Sequence, residues 1–133
     1  MSALPEPGAW RAAAARHQEL FAALEEGARI GLMARDAPGN MLLWEAGGAG
    51  IEVRAAPFSG FSASGVDVLL SADAQALAEI RGATDAQLFA VLRAGIRSGA
   101  IICYMLSRRC MLEAQGFEEL LAALGFAFMG ACR

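Results

Sequence analysis

The stretch at residues 65–82, GVDVLLSADAQALAEIRG, constrains the fold more than any other part of the chain. Its first half, residues 66–70, is mainly aliphatic and predicts a buried strand. Ser71 then stands where a helix N-cap is expected, and an aliphatic stripe follows until Gly82 supplies a stop. A strand that runs directly into a short amphipathic helix predicts a sheet with helices packed against it.

An amphipathic helix and a strand meander are predicted before this stretch. Apolar residues recur at helical spacing over residues 9–26, and Gly27 suits the left-handed cap that ends a helix. Three antiparallel strands in meander order are then expected at residues 28–35, 41–46 and 51–55. In the first connection, residues 36–40, Pro38 and Gly39 fit the two central positions of a type II turn.

A long helix is predicted after residue 82. Residues 84–87, TDAQ, match a capping box, in which the glutamine and threonine bond back to each other's backbone. Residues 100–106, AIICYML, are apolar all round and therefore buried as helix or strand, and we favour continuation of the helix. Gly95 and Gly99 lie one turn apart on this helix, which indicates close packing against a neighbour.

The rest of the chain completes the predicted domain. A short strand at residues 110–114 and a closing helix at residues 117–124 are expected. Residues 1–8, which contain two prolines and a glycine, are expected to form a flexible arm, and residues 9–133 one domain. The predicted fold class is α+β, an antiparallel sheet of about four to five strands covered by helices.

Charge and apolar content bear on the partners that the protein can bind. The formal net charge is −3 at pH 7 and the sequence pI is about 5.1, which argues against a general electrostatic attraction to nucleic acid or to an anionic membrane. Binding to nucleic acid is not expected. Apolar residues make up 56% of the chain against 19% charged. This apolar surplus predicts a large core, an internal ligand cavity or a subunit interface.

Cysteine usage and the two chain ends indicate where the protein resides. The three cysteines, Cys103, Cys110 and Cys132, show no CxxC pairing, which favours free, mostly buried thiols in a reducing compartment. The amino end lacks the basic start and apolar core of an export signal. The uncharged run at residues 120–132 is shorter than the roughly 20 residues that cross a bilayer. We therefore expect a cytoplasmic protein with no transmembrane span.

No catalytic or metal-binding signature is evident. His17, the single histidine, is expected at the surface of the first helix without a partner that would orient it. Cys110 follows two arginines that would lower a thiol pKa, so a thiol enzyme is a third hypothesis beside a buried apolar role. No metal or cofactor is expected, because the scattered cysteines do not make a zinc site and no phosphate-binding glycine loop occurs.

Two segments resemble the sterol carrier protein domain family. Residues 65–82 are similar to that family's strand, small-residue turn and aliphatic helix, and residues 107–125, SRRCMLEAQGFEELLAALG, are similar to its last strand, glycine turn and closing helix. The resemblance extends over residues 17–126 and implies a small α/β fold with an internal apolar tunnel for lipids. Residues 84–106 depart from the family pattern as a long apolar helix, expected to fill the tunnel or to form a dimer face.

The predicted function is non-enzymatic binding of a lipid or other apolar small molecule in a cavity between the sheet and its helices. The alternative is a homodimeric structural or regulatory interaction module without a small ligand, using the face of Gly95 and Gly99 or the carboxyl tail. Arg97 or Arg109 would meet a polar head group. The candidate apolar lining consists of Leu43, Phe58, Phe61, Leu92, Ile96, Met105, Leu121 and Phe126.

Overall fold

The architecture is a five-stranded sheet with helices packed against one face. The computed structural model describes residues 4–126. Its helices are α1 (Pro7–Arg16), α2 (Gln18–Phe21), α3 (Ala74–Gly82), α4 (Leu88–Ser98), α5 (Arg109–Ala114) and α6 (Glu118–Ala123). Its strands are β1 (Arg29–Ala34), β2 (Ala37–Gly47), β3 (Gly50–Pro57), β4 (Val68–Ala72) and β5 (Ile101–Met105). The predicted α+β fold class is confirmed.

The strand order in the sheet is β3-β2-β1-β4-β5. The meander of β1, β2 and β3 is antiparallel as predicted, and β4 pairs antiparallel with β5. β1 and β4 pair in parallel, with Leu32 opposite Leu70. A parallel pair requires the chain to return to the same end of the sheet. The loop at residues 58–67 makes that return across the face opposite the helices.

The amino-terminal helix predicted over residues 9–26 forms, but it is interrupted. At His17 the backbone has φ −114° and ψ 38°, outside the helical region, and it separates α1 from α2. The apolar stripe faces the sheet on both sides of this break, since Trp10 is 1% exposed and Phe21 5%. The helical segment ends at Phe21 with Ala22 as its C-cap, so the predicted helix cap at Gly27 is wrong. Gly27 lies in the turn before β1, where its φ of +93° requires a glycine.

The reversal between β1 and β2 differs from the prediction. Ala34 pairs with Ala37, so the turn falls at residues 35–36, and the predicted type II turn over Pro38 and Gly39 is wrong. Those two residues belong to β2, which is longer than β1 and continues alongside β3. Pairing with β3 therefore overrides the local turn propensity of proline and glycine.

The helix α3 begins two residues later than predicted. Ser71, the expected N-cap, lies in β4 and is 2% exposed. Asp73 is the N-cap, and its Oδ1 accepts a 2.8 Å hydrogen bond from the backbone N–H of Ala76. The strand continues to Ala72 because that residue pairs with both neighbouring strands, which outweighs the capping tendency of serine.

Residues 84–106 form a helix and a strand instead of one long helix. The Gln87 side chain accepts a 3.4 Å hydrogen bond from the backbone N–H of Thr84. The helix α4 nevertheless begins at Leu88 with Gln87 as its N-cap, so the predicted helix start with Thr84 as N-cap is wrong. The helix α4 ends at Gly99, whose φ is +87°. The predicted continuation of the helix is wrong because this left-handed glycine stops it, and the apolar run that follows pairs with β4.

Gly95 lets α4 lie close to β5. It is buried, and a Cβ added there would lie 2.5 Å from Ile101 Cδ1. The close packing that the glycine spacing predicts is thus confirmed, with a strand of the same chain as the neighbour. Gly99 acts as the helix cap.

The carboxyl-terminal segment is helical. Residues 110–114, predicted to be a strand, belong to the helix α5, so that prediction is wrong. Arg108, with extended backbone (φ −61°, ψ 149°), is the N-cap of this helix. A single buried residue, Leu112, fits one helix face turned to the core and not the alternation of a strand. The closing helix α6 and its stop at Gly125 (φ +103°) are confirmed. Gly116 has φ +87°, and a Cβ added there would overlap the carbonyl oxygen of Ala23. The connection between α5 and α6 therefore packs directly against the chain after α2.

Apolar residues are buried on both faces of the sheet. The main core lies between the sheet and the helices, and its strand residues include Ile30, Leu32, Leu42, Trp44, Val68, Leu70 and Ile101. The opposite face carries a second, smaller cluster that we call the outer cluster. It consists of Met33, Met41, Leu43, Val66 and Leu69, with Ala56, Phe58, Tyr104 and Leu106 packed against it.

Some predictions for the chain ends concern residues outside the described part. Of the predicted arm, residues 4–6 lead into α1, Pro7 and Gly8 belong to the helix, and Leu4 packs against the main core. Residues 1–3 and the apolar tail after residue 126, with Cys132, lie outside the described residues. No helix within residues 4–126 is both long and apolar enough to cross a membrane.

Candidate functional site

A pocket lies between the amino-terminal helix and the connection from α3 to α4, and we call it the α1 pocket. Its volume is about 200 Å³. Residues 4–13 form one side and residues 80–88 the other. The apolar lining residues are Leu4, Pro5, Ala9, Trp10, Ala13, Ile80, Ala83 and Leu88, and the polar ones are Glu6, Arg81, Thr84 and Asp85. An apolar pocket with a few polar groups is the usual form of a small-molecule site.

Trp10 anchors α1 to the sheet and contributes to the pocket wall. Its ring stacks on Trp44 of β2 with centroids 3.9 Å apart and planes 4° from parallel. Trp44 Nε1 donates a 2.7 Å hydrogen bond to the carbonyl oxygen of Trp10. The Nε1–H of Trp10 itself is buried and has no acceptor. A buried donor without an acceptor costs about 1–3 kcal/mol, so an acceptor brought to this ring would stabilise the protein.

His17 ties the end of α1 to the connection from α3 to α4. Its Nε2 donates a 2.8 Å hydrogen bond to the carbonyl oxygen of Asp85, since a carbonyl can only accept. The ring packs edge-on against Phe89 with centroids 4.9 Å apart, and the side chain is 19% exposed. The prediction of a surface imidazole without a partner is therefore wrong. His17 is a positioning residue that holds one wall of the α1 pocket.

The α1 pocket has four polar lining side chains. Glu6 and Asp85 are exposed carboxylates, Thr84 adds a hydroxyl and Arg81 a guanidinium. A nucleophile paired with an orienting base is needed for covalent catalysis, and the lining side chains do not provide that pair. Among residues 4–126, no group of three or more His, Cys, Asp or Glu could hold a metal ion.

Two larger grooves have a different lining. One, of about 400 Å³, lies between α1, α2 and the end of the β2–β3 hairpin. The other, of about 550 Å³, lies between α3 and α4. The first is lined by Phe21, Leu24 and Ile51 beside alanines, glycines, Arg11 and Gln18. The second is lined by alanine, glycine and polar residues, which offer little surface for burying an apolar ligand. The α1 pocket is the better candidate because the ring of Trp10, whose buried Nε1–H has no acceptor, is part of its wall.

The ligand-binding residues predicted from the sequence are divided between the two faces of the sheet. Five belong to the main core: Leu92, Ile96, Met105, Leu121 and Phe126. Leu43 and Phe58 belong to the outer cluster, and Phe61 lies beside them and is 44% exposed. Arg97 and Arg109 are exposed, in the last turn of α4 and the first turn of α5. None of these ten residues lines the α1 pocket, and their role in ligand binding stays a prediction.

Neither described cysteine is a reactive thiol. Burial raises the pKa of Cys103 to about 12, so this side chain is protonated at neutral pH. Cys110 is exposed and disulfide-bonded, so the prediction of a free, buried thiol is wrong there and the thiol-enzyme hypothesis loses its nucleophile. Free cysteines were also the basis for expecting a reducing compartment. Cys110 does not provide that basis, and the cytoplasmic location stays a prediction.

The sequence contains only indirect signs of the α1 pocket. Trp10, Ile80 and Leu88 fit the buried stripes of their helices, and such a pattern is the same for a residue in the core and for one in a pocket wall. Leu4 and Pro5 belong to the segment that was predicted to be an arm. What distinguishes them is the position of α1 beside the connection from α3 to α4. This contact joins residues about 75 positions apart and has no local pattern in the sequence.

Comparison with known proteins gives a partial likeness. A solved structure titled "UbiJ-SCP2 Ubiquinone synthesis protein" is 18% identical to this chain, and the match covers 80% of this chain and 71% of that one, with a TM-score of 0.43. This likeness is weak and partial, like the resemblance of the sequence to the sterol carrier protein domain. No protein-family model matches the chain, and no curated protein has a similar sequence.

Proposed function

We propose that the protein binds a lipid or other apolar small molecule in the α1 pocket without catalysing a reaction. The observation that carries this proposal is an apolar space of about 200 Å³ with the buried ring of Trp10 in its wall. Removing the apolar surface of a ligand from water supplies the binding free energy. The margin of the pocket has two carboxylates and one guanidinium, so charges of both signs are present there. A ligand with an uncharged polar end suits such a margin better than a ligand with a charged end.

The size of the pocket limits the ligand. Pockets for drug-sized molecules typically measure roughly 300–1,000 Å³, so about 200 Å³ admits one slender chain or one small ring. The seven methylenes of 1-octanol, at ~0.8 kcal/mol each, would contribute about 5–6 kcal/mol. That gain corresponds to a Kd of about 0.1 mM at best. A larger lipid would place a single acyl chain in the pocket and leave the rest outside.

Titration with 1-octanol, followed by tryptophan fluorescence, tests the proposal. Trp10 lines the pocket and stacks on Trp44, so both fluorophores report on its occupancy. Ala9→Leu places extra methylenes in the pocket, and Ala90→Leu, at an exposed position of α4 outside it, is the matched control. We expect the unmodified protein and A90L to bind alike and A9L to bind at least about tenfold more weakly. Equal binding by all three, or no saturable change, would contradict the proposal.

The homodimeric interaction module stays a prediction. Gly95, on the face that was expected to form the dimer contact, packs against Ile101 of its own chain, and the carboxyl tail lies outside the described residues. Light scattering over a range of protein concentrations tests the dimer. A monomer at every concentration would exclude it.

A further inference from the structure

A small aromatic patch is exposed on the sheet face that lies opposite the helices. Phe61, in the loop at residues 58–67, is 44% exposed. Its ring contacts Phe58 and Tyr104, with centroids 5.4 Å and 4.7 Å apart. Ile102 of β5 lies on the same face as Tyr104, two residues before it, and is 40% exposed. Phe61, Ile102 and Tyr104 make up what we call the aromatic patch.

The patch is held in a fixed shape by the residues around it. Phe58 and Tyr104 pack against the outer cluster, so two half-buried rings support Phe61. The base of the loop is also fixed, because Asp67 Oδ2 accepts a hydrogen bond from the Arg29 backbone and Oδ1 accepts one from Ser107 Oγ, at 3.0 Å and 2.8 Å. An exposed aromatic side chain held in place by its neighbours loses little conformational entropy on contact with a partner.

The area of the patch is too small for a stable protein interface. Phe61 exposes 44% of its surface, or about 90 Å² of the roughly 200 Å² of an aromatic residue. Together with Ile102 and Tyr104 the patch offers on the order of 200 Å². A stable dimer buries about 800 Å² on each partner. A lipid surface, by contrast, accepts single side chains into the boundary between its head groups and acyl chains.

The charges around the patch fit a lipid surface. Residues 55–66 contain no charged side chain, so no ion has to be desolvated when the loop approaches head groups. Arg108 is exposed and directly follows Ser107, whose backbone N–H also bonds to the carbonyl oxygen of Asp67 at the base of the loop. A guanidinium at this position is suited to lipid phosphate.

We propose that the aromatic patch is a docking surface for a membrane, in which Phe61 and Ile102 enter the head-group boundary and Arg108 contacts lipid phosphates. The α1 pocket lies on the helical side of the sheet, so this inference goes beyond the proposed function and does not require the pocket to be occupied. Docking through so small an area is weak and reversible.

Co-sedimentation with phosphatidylcholine vesicles, with and without phosphatidylglycerol, tests the docking surface. Phe61→Ser removes the largest exposed ring of the patch, and Met111→Ser, at a 54% exposed residue of α5, is the matched control. We expect F61S to lower vesicle binding about tenfold or more and M111S to leave it unchanged. Arg108→Gln is expected to lower binding to both kinds of vesicle, and to lower it more when phosphatidylglycerol is present.

Two results would overturn the docking surface. The first is no binding of the unmodified protein to either vesicle, and the second is equal binding by F61S and M111S. A9L, which fills the α1 pocket, is expected to bind vesicles like the unmodified protein. Failure of octanol binding and failure of vesicle binding therefore give separate results. If F61S changed the oligomeric state and the protein did not bind vesicles, the patch would be a contact for a protein partner and not for a membrane.

Discussion

Gly116 is the residue at which the fold leaves the least room for a side chain. Its φ is +87°, and a Cβ there would overlap the carbonyl oxygen of Ala23. Gly27 has nearly the same φ, +93°, but nothing lies within 4 Å of a Cβ built on it. Alanine substitutions at these two positions therefore separate the effect of backbone strain from the effect of steric overlap.

We expect Gly116→Ala to destabilise the protein far more than Gly27→Ala. The left-handed backbone costs either alanine about 1–2 kcal/mol, and the overlap at position 116 adds a further loss on the order of 2 kcal/mol or more. Urea unfolding of both variants measures the difference. Equal losses would show that the connection between α5 and α6 can move away from Ala23, against the packing described here.

Because of Cys103, the stability of the protein is expected to change with pH in the alkaline range. Burial raises the pKa of its thiol from 9.0 to about 12. Between these two values the unfolded chain loses the thiol proton while the folded chain keeps it, so stability falls as pH rises. The contribution of the thiol is fully present below pH ~9 and is lost as pH rises toward ~12.

Unfolding in urea at pH 8 and pH 10.5 measures this dependence. We expect the unmodified protein to lose roughly 1–2 kcal/mol more stability than Cys103→Ala between the two pH values. The comparison uses the change with pH, so any loss of packing in C103A at both pH values cancels. The same pH dependence in both proteins would show that the thiol is not desolvated in the folded state.

At the scale of elements, the start of α3 shows how pairing and capping compete. Asp73 caps the helix through its bond to Ala76, whereas Ser71 is buried in β4. We expect Asp73→Ala to cost about 1 kcal/mol and Ser71→Ala to leave the helix cap intact. Thermal unfolding of the two variants measures both effects. A greater loss in S71A than in D73A would support the cap predicted from the sequence.

Much of the element order could be predicted because it depends on local patterns. The strand and helix at residues 66–82, the meander and the closing helix α6 all have apolar periodicity bounded by glycine. The errors fall where two elements share one pattern. Residues 100–106 are apolar all round, which fits a buried helix and a central strand equally. Only pairing with β4 decides between them, and that pairing is a tertiary contact.

At the scale of the whole molecule, the sheet separates two groups of apolar residues that the sequence placed in one site. Leu92 and Leu121 lie in the main core at 0% exposure, while Leu43 lies on the other face at 2%. Apolar patterning shows that a residue is buried but does not show on which side of a sheet it is buried. A single cavity lined by all the predicted residues is therefore not expected from this topology.

The α1 pocket and the aromatic patch also belong to this scale, because each is made by segments that are distant in the chain. The pocket joins residues 4–13 to residues 80–88, and the patch joins the loop after β3 to β5. Their positions on different sides of the sheet make ligand binding and membrane docking separable properties. Variants A9L and F61S are expected to lose one property each.

The most direct test of the proposed function is a nuclear magnetic resonance titration of ¹⁵N-labelled protein with 1-octanol. We expect saturable shifts, with one common Kd, at the indole N–H of Trp10 and the backbone amides of Ala9, Ile80 and Leu88, which line the α1 pocket. The amide signals of Leu43 and Phe58, in the outer cluster, are expected to keep their chemical shifts. Saturable shifts centred on the outer cluster, or no saturable shifts anywhere, would contradict a ligand site in the α1 pocket.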